Sequence, residues 1–116
     1  ADLAAAVKGS VSACMLNSGQ TCSAHTRMLV PADRLEEAKA LAAAAVSKLT
    51  LGPSLDENTR LGPLVSAAQR DRVLSFIELG LKEGAELVAG GAERPPFASR
   101  SAIGEHHRVA IRPRSL

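Results

Sequence analysis

Aromatic residues are almost absent from this chain, which has two phenylalanines and neither tyrosine nor tryptophan among its 116 residues. A core must therefore be built from Ala, Val, Leu and Ile, which bury less area per side chain than aromatic rings do. The sequence also lacks any apolar run of about 18 residues, the length that a membrane span requires. We expect one domain with a modest core and no association with a membrane.

Cysteines are equally scarce, and two of them are too few for a disulfide framework. Cys14 shares a helical stripe with Val7 and Val11, which predicts that it is a small buried hydrophobe. Cys22 follows in polar sequence that contains glycine, and these different surroundings suggest a different role. Two free thiols favour a reducing compartment, and we expect a cytoplasmic protein.

The net charge of the sequence changes sign after residue 91. Residues 1–91 carry a net charge of −1 and residues 92–116 carry +3, mostly from arginine. No aromatic groups are interleaved with these arginines for stacking on bases, so we expect no nucleic-acid partner. The adjacent His106 and His107 have no other metal ligands near them in the sequence, so we expect no metal site. We therefore expect an atypical, basic and poorly ordered tail over residues 92–116.

The spacing of apolar residues predicts three helices and two strands. The helices are expected over about 2–16, 35–49 and 67–83, and the strands over 27–30 and 86–89. This alternation is typical of an α/β layer with a parallel sheet. Because two strands do not make a stable sheet, further strands must come from elsewhere, and residues 109–111 of the tail are one candidate.

Residues that favour helix ends support these boundaries. Asn17 and Gly19 both tolerate the left-handed conformation that closes a helix, so they are expected to end the first one. Two pairs with the spacing of a capping box precede the later helices, namely Asp33 with Glu36 and Ser66 with Gln69.

The stretch NSGQTC, residues 17–22, places a helix end, a glycine and small polar residues before a single thiol. A helix end, a cation or a base lowers the pKa of a thiol, glycine lets a substrate approach closely, and the nucleophile's own N–H can bind an oxyanion. His25 stands three residues later, so a Cys–His thiol hydrolase is one reading of the same stretch. Because no Asp or Asn is evident to orient the imidazole, we prefer a histidine that is exposed or packed.

The same residues resemble the NAD(P)-dependent aldehyde dehydrogenases. Residues 17–22 are similar to the catalytic-cysteine signature of that family, and the similarity covers about residues 1–95. It continues at Arg27, at Leu29-Val30-Pro31, at Leu61-Gly62-Pro63-Leu64-Val65, and at Gly84-Ala85 followed by Gly90-Gly91. Several ordered motifs at the right separations make this resemblance far more specific than the hexamer alone.

The resemblance implies that residues 1–91 form part of a three-layer, parallel-sheet α/β catalytic domain. It implies that Cys22 attacks an aldehyde and passes through a thiohemiacetal and a thioester to a carboxylic acid. It further implies that Gln69 lies near the cofactor, NAD or NADP, and that Gln20 and Thr21 position the loop without reacting. The substrate is expected to be a small aldehyde, and the full-length enzyme is expected to be a homo-oligomer.

The sequence also departs from the family. It begins after the point where the family's Glu-Leu-Gly-Gly general base stands, and it has no dinucleotide-binding domain, so we expect the isolated chain to be inactive. The first residues, ADLAAAVKGS without an initiator methionine, suggest a segment of a longer polypeptide. The alternative is a catalytically inert remnant that acts at most as an oligomerisation module, since half-built layers expose apolar faces.

Overall fold

The computed structural model describes residues 2–90 and the backbone of residues 109–111. The helices are α1 (Leu3–Cys14), α2 (Leu35–Val46) and α3 (Ala67–Lys82). A short 3-10 turn occupies Ala32–Arg34, and Leu16–Gly19 form a turn whose last three residues have positive φ. The strands are β1 (Glu86–Ala89) and β2 (Val109–Ile111). Within this part of the chain, every helix is too short or too polar to cross a membrane.

The core lies between α1 and α2. Val7 and Val11 of α1, with Met15 just after it, form the buried stripe that the sequence predicts. Alanines on the facing side of α2 let the two helices approach closely, and one leucine from a loop closes the cluster. The buried cluster consists of Val7, Val11, Met15, Ala38, Ala42 and Leu61.

Two of the helix starts follow the capping rules. Asp2 accepts a hydrogen bond from the backbone N–H of Ala5 at 3.1 Å, so it caps α1. Ser66 accepts one from the N–H of Gln69 at 3.1 Å, which confirms that this serine opens α3. At the other end of α3, Gly84 adopts a φ of 87°, the left-handed conformation that stops a helix.

The predicted cap of α2 is wrong. A 3-10 turn at Ala32–Arg34 leads into the helix, which places Arg34 rather than Asp33 at the N-cap position, without a side-chain capping bond. Arg34 instead forms an ion pair with Glu37 at 2.8 Å. The extra turn before the helix shifts the capping position by one residue, so the Asp33–Glu36 pair loses its register.

The predicted strand at residues 27–30 does not form. The segment is extended, and Met28 and Val30 lie against the core while Leu29 is 93% exposed, which is the alternation of a strand. No other segment among the described residues pairs with it through backbone hydrogen bonds. A strand is defined by such a partner, so the side-chain pattern is present without the sheet.

The parallel sheet is not confirmed either. β1 and β2 make one antiparallel pair, with Glu86 opposite Ile111 and Leu87 opposite Ala110. The strand expected at 86–89 and the candidate strand at 109–111 are both present, but they run in opposite directions. Lys39 of α2 fastens β1 to the helices, because its ammonium lies 2.6 Å from Glu86 and 2.8 Å from Glu36.

α3 is the helix least covered by the rest of the described structure. The sequence predicts that Val73, Ile77 and Leu81 point inward, but no residue of this helix is buried. Phe76 is 57% exposed, and the guanidinium of Arg72 lies 5.7 Å from the centre of its ring. The rest of the tail, residues 92–108 and 112–116, lies outside the described residues.

Replacing Val7 with alanine should destabilise the chain. Val7 is fully buried in the α1–α2 contact, so removing two of its carbons loses burial and leaves a cavity. We expect the free energy of unfolding in urea to fall by about 2 kcal/mol. Val65→Ala is the matched control: this side chain is 80% exposed, and its loss should change the value by less than about 0.5 kcal/mol. Equal losses in both variants would contradict the described core.

Two glycine-to-alanine substitutions should act in opposite directions. Gly9 lies inside α1, and a Cβ there would meet no atom within 4 Å. Gly9→Ala should therefore stabilise the chain by about 0.5–1 kcal/mol through helix propensity. At Gly52 a Cβ would collide with the side chain of Thr59, so Gly52→Ala should lower the Tm. A higher Tm for Gly52→Ala than for Gly9→Ala would contradict the open space at Gly9 and the close approach of Thr59 to Gly52.

Candidate active site

The site begins where α1 ends. The N–H of Met15 bonds to the carbonyl of Val11 at 3.0 Å, and the chain then leaves the helix through three successive left-handed residues. Asn17, Ser18 and Gly19 have φ values of 49°, 58° and 72°. Glycine adopts this conformation freely, but each of the other two pays about 1–2 kcal/mol. Contacts elsewhere must offset this strain.

Some of those contacts lie within residues 17–22, which we call the thiol loop. Asn17 donates from its amide to the carbonyl of Gln20 at 3.3 Å, and Gln20 donates from its amide to the carbonyl of Asn17 at 3.3 Å. The backbone N–H of Gln20 reaches the same Asn17 carbonyl at 3.0 Å. The two amide side chains thus close the left-handed turn on itself.

Two further contacts tie the thiol loop to residues that lie far away in sequence. The hydroxyl of Ser18 donates to the carbonyl of Gly62 at 2.8 Å, in a half-buried position. The backbone N–H of Val65 donates to Oε1 of Gln20, also at 2.8 Å. The predicted positioning role of Gln20 therefore has a structural basis, whereas the side chain of Thr21 contacts only that of Ser23, at 3.3 Å.

Cys22 lies at the end of this loop, at the second position of a tight turn. The N–H of Ala24 bonds to the carbonyl of Thr21 at 3.1 Å, and the thiol of Cys22 is exposed. Within residues 2–90 and 109–111, the backbone N–H of Cys22 donates to no other group. An exposed sulfur beside an unused N–H is the arrangement that a nucleophile with its own oxyanion donor requires.

The other candidates show no such arrangement. His25 is exposed, and no hydrogen bond joins it to Cys22 in the described part of the chain, so the Cys–His pair is not formed. Cys14 is half-buried, and desolvation raises the pKa of its thiol. A raised thiol pKa leaves less thiolate at neutral pH, which suits the predicted packing role. No three His, Cys, Asp or Glu side chains in residues 2–90 are grouped so that they could hold a metal.

An open cleft of about 600 Å³ lies beside the thiol loop. Gln69, the predicted cofactor residue, lines it from the first turn of α3, and Cys22 is not among the lining residues. The lining is neutral throughout and includes three carboxamide side chains. It consists of Asn17, Gly19, Gln20, Pro63, Val65 and Gln69.

Sequence reasoning missed the role of Ser18 and its partner, the backbone of residues 62–65. The serine carries no local signal, because its partner stands 44 positions away. The only hint was that residues 17–22 and 61–65 both belong to the motifs of the resemblance. Gln69 lies in the lining of the cleft beside the thiol loop, which its capping position does not indicate, and its role as a cofactor contact stays a prediction.

Known proteins share this architecture. The model of the aldehyde dehydrogenase family matches residues 1–103, which runs past residue 91, where the charge of the sequence changes. A 3-succinoylsemialdehyde-pyridine dehydrogenase of a Pseudomonas species is 43% identical over 95 residues, covering 82% of this chain and 20% of that protein.

Solved structures agree with the sequence comparison. Aldehyde dehydrogenase C of Pseudomonas syringae, a mutant crystallised with NAD+ and octanal, has a TM-score of 0.82 at 42% identity over 95% of this chain and 22% of its own. The aldehyde dehydrogenase of Mycobacterium tuberculosis complexed with NAD+ has a TM-score of 0.85 at 37% identity, over 94% of this chain and 22% of its own. This chain thus spans about a fifth of the length of these relatives. It belongs to the aldehyde dehydrogenase family, whose members are oxidoreductases.

Proposed function

We propose that Cys22 is the nucleophile in the oxidation of an aldehyde to a carboxylic acid with NAD(P)+. The observation that carries the proposal is the thiol loop itself. Its left-handed exit from α1 presents an exposed sulfur beside an unused backbone N–H, in a chain of the aldehyde dehydrogenase family. The inert-remnant alternative gains no support from these features.

The chemistry follows from these two groups. The Cys22 thiolate attacks the aldehyde carbon, the carbonyl electron pair moves to oxygen, and the resulting oxyanion lies within reach of the Cys22 N–H. Loss of hydride from that carbon restores the carbonyl as a thioester. Attack by water on the thioester then expels the Cys22 thiolate and forms the carboxylic acid, and the proton that the water loses passes to solvent. The glycine at position 19 keeps side-chain atoms out of the approach to the loop.

The cleft beside the loop fits the neutral part of a nicotinamide cofactor. Among the described residues, its lining carries three carboxamides and no ionisable group. Asn17 and Gln20 use their amides in the loop and toward Val65, so Gln69 is the carboxamide best placed to bond to an uncharged carboxamide or to ribose hydroxyls. Gln69 would contact the cofactor there, and NAD(P)+, when bound, supplies the acceptor for the hydride. Two structural neighbours are NAD+ complexes, which supports this class of cofactor.

Other parts of the proposal rest on the family alone. The dinucleotide would be held mainly by a domain that this sequence does not contain, and the aldehyde is defined only as a class. A homo-oligomeric full-length enzyme and a cytoplasmic location stay predictions from the sequence. The roles proposed for Cys22 as the nucleophile and for Gln69 as a cofactor contact can be tested on the chain itself.

Acyl transfer from p-nitrophenyl acetate tests the nucleophile without any cofactor. An activated ester delivers an acyl group to the same sulfur that would carry the thioester, so the chain should gain an acetyl group on Cys22. Peptide mass mapping locates the adduct, and release of p-nitrophenol gives its rate. Cys22→Ala should abolish the adduct, and Cys14→Ala, the matched control, should retain it.

The same assay separates this proposal from a thiol hydrolase. His25→Ala should leave the acetylation rate unchanged, because the exposed imidazole makes no hydrogen bond with the thiol in the described part of the chain. Loss of acetylation in that variant would favour a Cys–His mechanism instead. An adduct that forms at another residue at the wild-type rate in Cys22→Ala would remove Cys22 from the reaction.

Gln69 should contribute to the binding of the nicotinamide end of the cofactor. In saturation-transfer NMR with NAD+, we expect a signal at the nicotinamide protons with the wild-type chain and a weaker one with Gln69→Ala. The substitution leaves the helix cap intact, because Ser66 bonds to the backbone N–H of that residue. Arg70→Ala, one residue along and outside the cleft lining, is the control. Equal signals from both variants would remove Gln69 from the cofactor site.

A further inference from the structure

Two hydrogen bonds cross between the thiol loop and residues 61–65, and they are its only side-chain ties to distant sequence among the described residues. We propose that residues 61–65 are the mount on which the Cys22 nucleophile is positioned, and that Ser18 and Gln20 are the positioning residues that attach the loop to it. This inference rests on the proposed role of Cys22. It adds a function to a segment that carries no reactive side chain.

The mount is fixed independently of the loop. Leu61 is 3% exposed within the α1–α2 core, and Leu64 is also buried. The N–H of Leu61 bonds to the carbonyl of Thr50 at 3.0 Å, and its carbonyl accepts from Gly52 at 3.2 Å. The Gly62 carbonyl accepts from Ser18 and the Val65 N–H donates to Gln20. Apolar burial and backbone hydrogen bonds therefore fix the positions of the two groups to which the loop is bonded.

The attachments use both the oxygen and the nitrogen of the Gln20 side-chain amide. Its Oε1 accepts from Val65 at 2.8 Å, and its Nε2 donates to the Asn17 carbonyl at 3.3 Å. One amide thereby joins the mount to the left-handed turn. A carboxylate of the same length keeps the first bond and loses the second, which separates the two functions.

Positioning has a specific kinetic consequence. Alkylation by iodoacetamide needs only an exposed thiolate, whereas acyl transfer also needs the ester carbonyl to lie over the sulfur with its oxygen at the Cys22 N–H. If the hydrogen bonds between the thiol loop and the mount are removed, Cys22 should still be alkylated but should lose acyl transfer. A change in thiol pKa or a general loss of structure would alter both.

The test measures both rate constants at Cys22 in the 116-residue chain over a range of pH, by peptide mass mapping. Comparing the plateaus above the thiol pKa isolates the reactivity of the thiolate. Ser18→Ala and Gln20→Leu should each lower the acetylation plateau on the order of tenfold to a hundredfold, with alkylation nearly unchanged. Gln20→Glu should retain more acetylation than Gln20→Leu because it can still accept from Val65.

Ser23→Ala is the matched control, since it removes a hydroxyl next to Cys22 that reaches only Thr21. It should leave both plateaus at the wild-type value. Far-UV circular dichroism shows whether each variant keeps its helices. Hydrogen exchange at the Val65 amide of the unmodified chain tests the same bond without a substitution. This amide should be protected relative to the amides of Ser54, Leu55 and Glu57, which lie in an exposed loop and donate no hydrogen bond to another described residue.

The outcomes separate the two proposals. If Cys22 of the wild-type chain is alkylated but never acetylated, the nucleophile assignment fails and the mount fails with it. If wild-type Cys22 is acetylated and Ser18→Ala and Gln20→Leu match it, the mount alone is wrong. An unprotected Val65 amide, or equal loss of acetylation in Gln20→Glu and Gln20→Leu, would also overturn the mount.

Discussion

Packing of the Val7–Val11–Met15 stripe against α2 is the contact on which the rest of this structure depends. It sets where α1 ends, and therefore where the thiol loop starts. Leu61 also packs in this cluster, which therefore sets where residues 61–65 lie. The same apolar cluster therefore holds the two segments that the hydrogen bonds of the thiol loop join, namely the end of α1 before the loop and Leu61 before its partner segment. Small alanines on α2 allow this close contact in a chain with almost no aromatic residues.

The left-handed exit from α1 costs free energy at Asn17 and Ser18, and the local contacts show how the loss is offset. A strained backbone persists only where its surroundings fix it more than once. Here the turn is closed by paired amides and joined by Ser18 to the Gly62 carbonyl. Such strain commonly marks sites that must present a group in one orientation, and Cys22, the proposed nucleophile, lies three residues beyond this turn.

Local sequence rules predicted the features that depend on nearby residues, and they failed for features that depend on pairing with distant residues. The apolar stripe of α1, the left-handed residues 17 and 19 and the Ser66 cap depend on neighbours within a few positions, so sequence spacing sufficed. The strand at 27–30, the parallel sheet and the buried face of α3 require partners that spacing does not identify. In the site, the motif indicated a positioning role for Gln20, whose side chain accepts from Val65, but it gave no signal for the hydrogen bond from Ser18 to Gly62. The role of Cys22 stays a prediction.

A cysteine nucleophile needs a placed sulfur, a donor for the oxyanion, and groups that move protons or accept hydride. The first two arise here from residues 3–65 alone: a helix pair, a strained turn and a segment held by two leucines. Among the described residues, strand-like pairing enters this arrangement only as an isolated parallel bridge between Leu51 and Leu61, while β1 and β2 form a separate antiparallel pair. Helix packing determines where the sulfur lies, and the base and the cofactor, which this site does not supply, would determine what it does.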